Sequence, residues 1–561
     1  MQSRSPVLTE SAPGSAGSPA VGGNANGVTI LLAAFVAGTL LCVILDALDV
    51  PGFSLRRWFG AAALTMFAVP LFFAATTRIE AFHSGDRRIS PGVNALAGVT
   101  GLLGVSGLAA LIGGPFIMGF DGLAIGVGVL AGTTFGAILL APYLRKFGGY
   151  SLAAYLRFRF ESRILGVATA VLLAPVLVLL VVAELTIAGR LLAGLFAVPE
   201  TLAVLAATAV IALGAALSGI VGVTWAGAMA AGITLVIVAL PVSIASVLAT
   251  NLPVAPLTFG LQLDELARLE RVEAIGLEAI ADLTAMAVPS ADGSVLAAPF
   301  YAPGSIMGSA GFVACVLIAA FGAACLPAVQ GRAQVAGTVA KTRISFAWLV
   351  CLVAVLVVIA PSIAVFTRLA LLQELAGQTV IGVPDAMRQA IGLGVATPIG
   401  QPTDFALRAV AMSPESPLVL LPLFTQMPEP VAHAVATGLI CIAIAASTAH
   451  LHTAGTLLVE EALAGRNPLE PGPVINRLRA ARLAMLALAA VAGGLVTFTA
   501  PQPIVCLLAA MLVAGSALLA PLVMSIWWKR ITALGALTGV LSGGICGWLL
   551  VALADPLGMM G

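Results

Sequence analysis

Apolar residues along this chain come in long unbroken runs, with polar residues gathered between them. Windows of about 19 residues pick out thirteen such runs, at 28–48, 57–77, 92–116, 122–141, 164–196, 201–218, 223–249, 307–327, 344–367, 433–462, 481–499, 504–527 and 531–552. A run near 20 residues crosses the roughly 30 Å hydrocarbon core of a bilayer as a helix. Lipid offers no partners to backbone polar groups, so only helices or closed barrels span it. The runs lack the period-two alternation of strands and predict helices. The pattern therefore predicts an all-α integral membrane protein with about thirteen transmembrane helices.

Composition agrees and excludes the soluble classes. Of 561 residues, 60% are hydrophobic and 9% charged, against roughly 25% charged in a soluble domain. A formal net charge of +1 gives no sign of a nucleic-acid partner. The 7 cysteines fall in or beside apolar runs and form no close metal-type pair, which predicts buried, reduced packing residues. No phosphate loop, nucleophile elbow or paired His–Glu zinc helix appears, so neither an enzyme nor a resident cofactor is expected. Residues 1–27 are rich in Ser, Gly, Ala and Pro and predict a disordered tail. The first run lacks a small-residue cleavage site and reads as a retained span.

Basic residues orient the chain. Arg78, Arg87, Arg88, Arg145, Lys146, Arg157, Arg159, Arg163, Arg332, Lys341, Arg343, Arg466, Arg477, Arg479, Arg482, Lys529 and Arg530 collect on one side of the predicted spans. By the positive-inside rule that side is cytoplasmic, which places the amino terminus inside and the carboxyl terminus outside. Leu and Ala recur beside charged residues at 261–283, predicting an amphipathic helix on the outer face.

A few residues stand out within the spans. Glu184 lies deep in the fifth, where a carboxylate costs about 2.5–3.5 kcal/mol on insertion scales and should face a cavity or a partner. Cation binding, proton carriage, pairing with Arg190 or bonding to a neighbouring hydroxyl all remain open. Gly98, Gly101, Gly104 and Gly107 recur every three residues in the third span. That spacing suits either a broken helix or a small-residue packing seam. His450 and His452 share helix faces with Ser447 and Thr448; two His alone make a poor zinc site. Asp46 and Asp121 sit near span ends and read as interfacial residues.

Several segments, in order, carry a family likeness. Phe82-His83-Ser84-Gly85-Asp86-Arg87-Arg88 leads into Asn94-Ala95-Leu96-Ala97. Gly104-Val105-Ser106-Gly107-Leu108, Gly119-Phe120-Asp121-Gly122-Leu123 and Leu139-Leu140-Ala141-Pro142-Tyr143-Leu144-Arg145-Lys146-Phe147-Gly148 follow. Phe321-Gly322, Leu326-Pro327 with Arg332, and Ala445-Ala446-Ser447-Thr448-Ala449 complete the series. Together they resemble the sodium:solute symporter family, and among its branches the acetate and short monocarboxylate permeases.

The resemblance implies a five-plus-five inverted-repeat transporter core. One half-repeat would occupy 81–250 and the other 307–528, joined by an extracytoplasmic connection at 251–306. Two helices at 28–80 would precede the core and one at 529–561 would follow it. The implied function is import of acetate or another short monocarboxylate by sodium- or proton-coupled symport with alternating access. The setting would be a bacterial-type inner membrane, and a homo-oligomer or a small membrane subunit would be the partner. Sodium ligands carry over to Val99, Leu102, Ile444, Ser447 and Thr448, and substrate contacts to Thr100, Gly101, Gly104, Glu184 and Phe321. A substrate carboxylate is expected at exposed amides of the helix break. The chain departs from the branch at three points: Gly101 replaces an Asp, Ala328 a His, and Glu184 the family's usual Gln. The replaced Asp and His motivate a second reading, a transport-deficient sensor or accessory membrane subunit on the same fold.

Overall fold

The computed structural model describes residues 25–50, 52–272, 307–375, 429–462, 474–499 and 501–554, with isolated positions between 288 and 304. The tail at 1–24, the second half of the expected amphipathic helix and most of the connection at 368–431 lie outside the described residues.

The described elements are α1 (Ala25–Ala47), α2 (Gly52–Phe73), α3 (Ile79–Ser84), α4 (Pro91–Met118), α5 (Leu123–Leu139), α6 (Ala141–Phe147), α7 (Leu152–Phe160) and α8 (Arg163–Phe196). They continue with α9 (Glu200–Thr250), α10 (Ala255–Val272), α11 (Gly308–Cys325), α12 (Pro327–Gln330), α13 (Val339–Leu375), α14 (Glu429–Ala462), α15 (Val474–Thr499), α16 (Pro503–Trp527) and α17 (Ala533–Ala554). A two-residue antiparallel pair, Val288–Pro289 with Val295–Leu296, is the only extended structure among the described residues. Among the described residues, eleven helices are long and apolar enough to cross a membrane. The protein is an all-α, multi-pass membrane protein.

Two expected spans are organised differently. Those at 201–218 and 223–249 form the single 51-residue α9. At 1.5 Å per residue a straight helix of that length would far exceed the bilayer. Gly219 (φ 59°, ψ −171°) interrupts it, leaving two limbs that are each long enough for one crossing. The joint packs on Phe82, and a Cβ there would lie 3.0 Å from the Phe82 Cα. The second expected span is α2, which is not among the eleven. Short helices α3, α6 and α7 occupy connections that the hydropathy pattern left blank.

The centre of the bundle is made by α4 and α14. In the most apolar window of each, 94% of residues are buried, against 33% for α15 and 28% for α17. Around them pack α8, α9 and α13, with α5, α11 and α16 forming a second group. Outward-facing apolar side chains such as Ile138, Val355, Phe498 and Leu549 are exposed, as a surface solvated by lipid requires. Small residues let helices touch: a Cβ on Gly132 would fall 1.9 Å from the Ala320 carbonyl oxygen of α11.

Each end of the bundle is held by buried ions. At the Met118 end of α4, the Arg368 Nη1 donates to the Glu270 Oε1 of α10 at 2.9 Å, and both side chains are fully buried. Arg368 Nε also donates to the Phe116 carbonyl at 2.6 Å, while Glu270 accepts the Phe300 amide. Asp121 accepts the amides of Gly304 and Met307 there, so it is a buried anchor, not an interfacial residue. At the Pro91 end, Arg157 pairs with Glu461 at 2.8 Å and Arg477 with Glu460. Asp46 pairs with Arg56, which also reaches Glu429, tying the α1–α2 hairpin to the start of α14.

Breaking one partner of a buried pair leaves an uncompensated charge. Arg368→Leu is therefore expected to lower stability by about 3–5 kcal/mol. Glu270→Met combined with Arg368→Leu should recover part of that loss. Thermal unfolding of the two purified variants in detergent checks both outcomes.

Candidate functional site

The third span is broken at its middle. Gly104 adopts φ 57° and ψ −158°, a region essentially open to glycine alone, and splits α4 into two half-helices. The second half therefore begins inside the membrane with amides that have no helical partner. Glu184 of α8 meets them. Its carboxylate accepts the Val105 amide at 2.7 Å, the Ser106 amide at 3.0 Å and the Ser106 hydroxyl at 2.5 Å. A carboxylate at a helix N-terminus is doubly favoured, by the hydrogen bonds and by the helix dipole. Of the partners open to Glu184, the geometry selects a neighbouring hydroxyl and the main chain; Arg190 instead pairs with Glu200 at 3.3 Å.

A second break lies later in the chain. Between α11 and α12, Leu326 is non-helical (φ −59°, ψ 120°), and Pro327 opens the next turn. Beside the breaks at Gly104 and Leu326, helices α8 and α14, both 34 residues long, pack together.

Helix α14 brings hydroxyls to this centre. Ser447 and Thr448 are fully buried, as are Val99, Leu102 and Ile444 to within 5% exposure. The Thr448 hydroxyl donates to the Ile444 carbonyl at 2.6 Å, leaving its lone pairs available. Ser447 Oγ makes no hydrogen bond among the described residues. This set offers neutral oxygens only, the donor type a hard monovalent cation takes, and the orphaned Ser447 oxygen fits such a cargo. No group of three or more His, Cys, Asp or Glu suited to a metal occurs among the described residues.

His450 donates from Nε2 to the Gly101 carbonyl at 3.1 Å, joining α14 to α4 just before the break. His452, two residues on and so on another face of α14, sets its ring 5.0 Å from that of Phe82 at a 53° tilt. Thr100 spends its hydroxyl on the Gly227 carbonyl of α9 at 2.7 Å. Gly98 packs on Leu349 of α13, so the glycine row supplies both a seam and a break. Phe321 is 40% exposed with its Cβ against Gly515, and the structure does not bring it to this centre.

Two cavities compete for attention, and chemistry decides between them. The larger, about 230 Å³, lies between α1, α2 and α9 and is lined almost wholly by apolar side chains. The smaller, about 30 Å³, lies at the Pro91 side of the breaks and is lined by His83, Tyr150, Arg332 and His452 among others. His83 bonds Thr456 through Nδ1 at 3.1 Å. Burial, then the nearby charges of His452 and Arg477, push its imidazole down to about 3. Its Nε2 lies 3.5 Å from Glu460, yet neither atom makes a hydrogen bond, and a neutral ring forms no ion pair. Burial raises the Tyr150 phenol, which stays protonated.

Arg332 is the residue that sequence reasoning misplaced. Counted there as a loop charge, it is only 4% exposed. Its Nη1 donates to Thr224 at 3.2 Å and to the Asn94 amide oxygen at 3.5 Å. Asn94 returns a bond to the Arg332 carbonyl and another to Ser345. The available signal was its position, five residues beyond the Pro327 that restarts the broken helix.

Gly104→Ala should be among the least tolerated substitutions in the chain. A Cβ there would fall 2.2 Å from Glu184 Oε1 as well as straining the backbone. The expected loss is about 3–5 kcal/mol, combining backbone strain with lost charge-assisted bonds. Gly92→Ala, where nothing lies within 4 Å of the new carbon, is the matched control in a melting comparison.

Known proteins resemble this chain in sequence over part of its length and in fold over nearly all of it. A sequence model of the sodium:solute symporter family matches residues 82–259. An uncharacterised symporter of Cupriavidus necator is 29% identical over 109 residues, a stretch covering 19% of this chain and 16% of that protein. A Na+-coupled sialic acid symporter, solved in a substrate-bound outward-open state, superposes with a TM-score of 0.52 at 14% identity. That superposition covers 93% of this chain and 98% of the other. The chain is thus similar to the sodium:solute symporter family in sequence over 82–259, and it has the fold of a transporter of that kind.

Proposed function

We propose that this chain is a secondary active transporter that imports a small organic anion, of the acetate or short monocarboxylate class, by cation-coupled symport. The observation that carries the reading is the pair of discontinuous helices, α4 at Gly104 and α11–α12 at Leu326, buried at the middle of the bundle beside α14. Non-helical backbone at membrane depth is tolerated only where protein or a cavity satisfies it, and such breaks are where transporters bind substrate and ion. The partial sequence match and the fold likeness to a Na+-coupled symporter support the same class.

The coupling cation, sodium by preference, is assigned to Val99, Leu102, Ile444, Ser447 and Thr448. Proton coupling is the alternative that the test below separates. The substrate is assigned to the neighbourhood of Thr100, Gly101 and Gly104. Its carboxylate does not take the amides of the α4 break, because Glu184 already holds them. Alternating access follows from rocking of the two half-repeats, 81–250 and 307–528, about the breaks. The basic-residue pattern supports a cytoplasmic amino terminus in an inner membrane.

The decisive measurement is uptake of labelled acetate, lactate and pyruvate into proteoliposomes under separate sodium and proton gradients. A sodium gradient alone is expected to drive accumulation of at least one of them. No accumulation under either gradient would remove the transport reading in favour of a sensor. In the same assay Glu184→Gln keeps the shape of the cap but removes its charge. We expect uptake to fall about 10-fold or more, equivalent to about 1.4 kcal/mol, with an altered pH dependence. Unchanged uptake and pH dependence would confine Glu184 to capping the half-helix.

A further inference from the structure

Arg332 is a buried cation with no anion beside it among the described residues. Among the described residues no carboxylate lies within ion-pair distance of its guanidinium. Nη1 is engaged by Thr224 and Asn94, while Nε makes no hydrogen bond. An unpaired charge in such a setting is among the most costly arrangements a protein can hold. It calls for an anion from outside the chain.

The surroundings show where that anion fits. A Cβ built on Gly101 would lie 3.9 Å from the Arg332 Nε and 3.9 Å from the Ala328 carbonyl, with nothing nearer. Glycine at this point therefore leaves the space in front of Nε open, between the broken helices. The guanidinium also lines the small cavity at the Pro91 side, with His83, Tyr150 and His452. His452 Nδ1 is buried and makes no hydrogen bond either. Arg332 Nε and His452 Nδ1 are both unsatisfied, each on a residue at most 4% exposed, and both residues line one cavity whose lining contains no carboxylate.

We propose that Arg332 receives the carboxylate of a short monocarboxylate at its Nε edge, in the small cavity that it lines. The proposal rests on the transport reading only for the choice of cargo. Arg332 is held in place through Asn94 and Thr224, so its Nε edge is pre-aimed, and a planar fork suits a carboxylate better than a halide. A cavity of about 30 Å³ holds roughly two waters.

The test is equilibrium binding of radiolabelled acetate to the purified full chain in detergent with sodium present and no gradient. Arg332→Gln is expected to raise Kd about 10-fold or more, the loss of a charged hydrogen bond. Arg332→Lys should fall between, keeping the charge without the fork. Gly101→Asp is the second variant, since its Cβ has room and its carboxylate would reach Nε. It should abolish acetate binding while melting no lower than wild type. Acetamide should not compete. Wild-type affinity in Arg332→Gln and Gly101→Asp, equal competition by acetamide, or no acetate, lactate or pyruvate binding by wild type would each overturn the proposal. Arg332-dependent binding without gradient-driven uptake would keep this site and remove the transport reading. Gradient-driven uptake with an unchanged KM in Arg332→Gln would do the reverse.

Discussion

The structure turns on the carboxylate of Glu184 set against the broken α4. A helix that stops and restarts inside a membrane leaves amides that neither lipid nor the preceding turn can satisfy. Gly104 makes the interruption sterically allowed, and Glu184 makes it energetically allowed by accepting the Val105 and Ser106 amides. The two are mutually dependent. Without the break the carboxylate would be an unpaired charge among apolar side chains, and without the carboxylate the break would be an unsatisfied end.

The second break is treated differently, and that asymmetry shapes the site. Leu326 interrupts α11–α12, and five residues after Pro327 the chain places a guanidinium instead of a carboxylate partner. One half of the protein therefore carries an anion that its own backbone neutralises. The other carries a cation fixed by neutral groups, Asn94 and Thr224, and not neutralised among the described residues. Two of the departures from the acetate-permease pattern, Gly101 and Ala328, lie against each other in front of that cation. In sequence they read as losses that weaken a transport site. In space they form the opening beside Arg332.

The spans were legible because lipid demands long apolar runs, so the hydropathy pattern alone located α4, α8, α11, α13, α14 and α16. It separated the limbs of α9 but could not show that one glycine joins them, because a φ near +59° leaves no trace in hydropathy. Glu184 was legible as an isolated charge in an apolar run. Its partners were not, since the contact joins residues 78 and 79 positions apart. The glycine row was ambiguous for a physical reason: close packing and backbone freedom both ask for a missing Cβ, and Gly98 and Gly104 turn out to use one each. Arg332 was misread because a basic residue near a span end ordinarily snorkels to water. Its burial depends on Asn94 and Thr224, on helices distant in sequence.

The ion pairs at the two ends bear on how such a centre could open. A buried pair contributes little net stability against its desolvation, yet removing one partner is severe. Opening a vestibule does neither, because water replaces the lost partner for both ions. Separating Glu270 from Arg368 at the Met118 end, or Arg157 from Glu461 at the Pro91 end, therefore exchanges a Coulomb term for a hydration term of similar size. Apolar contacts of equal area would give no such repayment, since wetting them is unfavourable in proportion to area. The chain places charged latches at both ends of α4 and reserves close apolar packing for the flanks. On the transport reading proposed above, that division would let either end open at modest cost while the bundle stays whole, as alternating access requires.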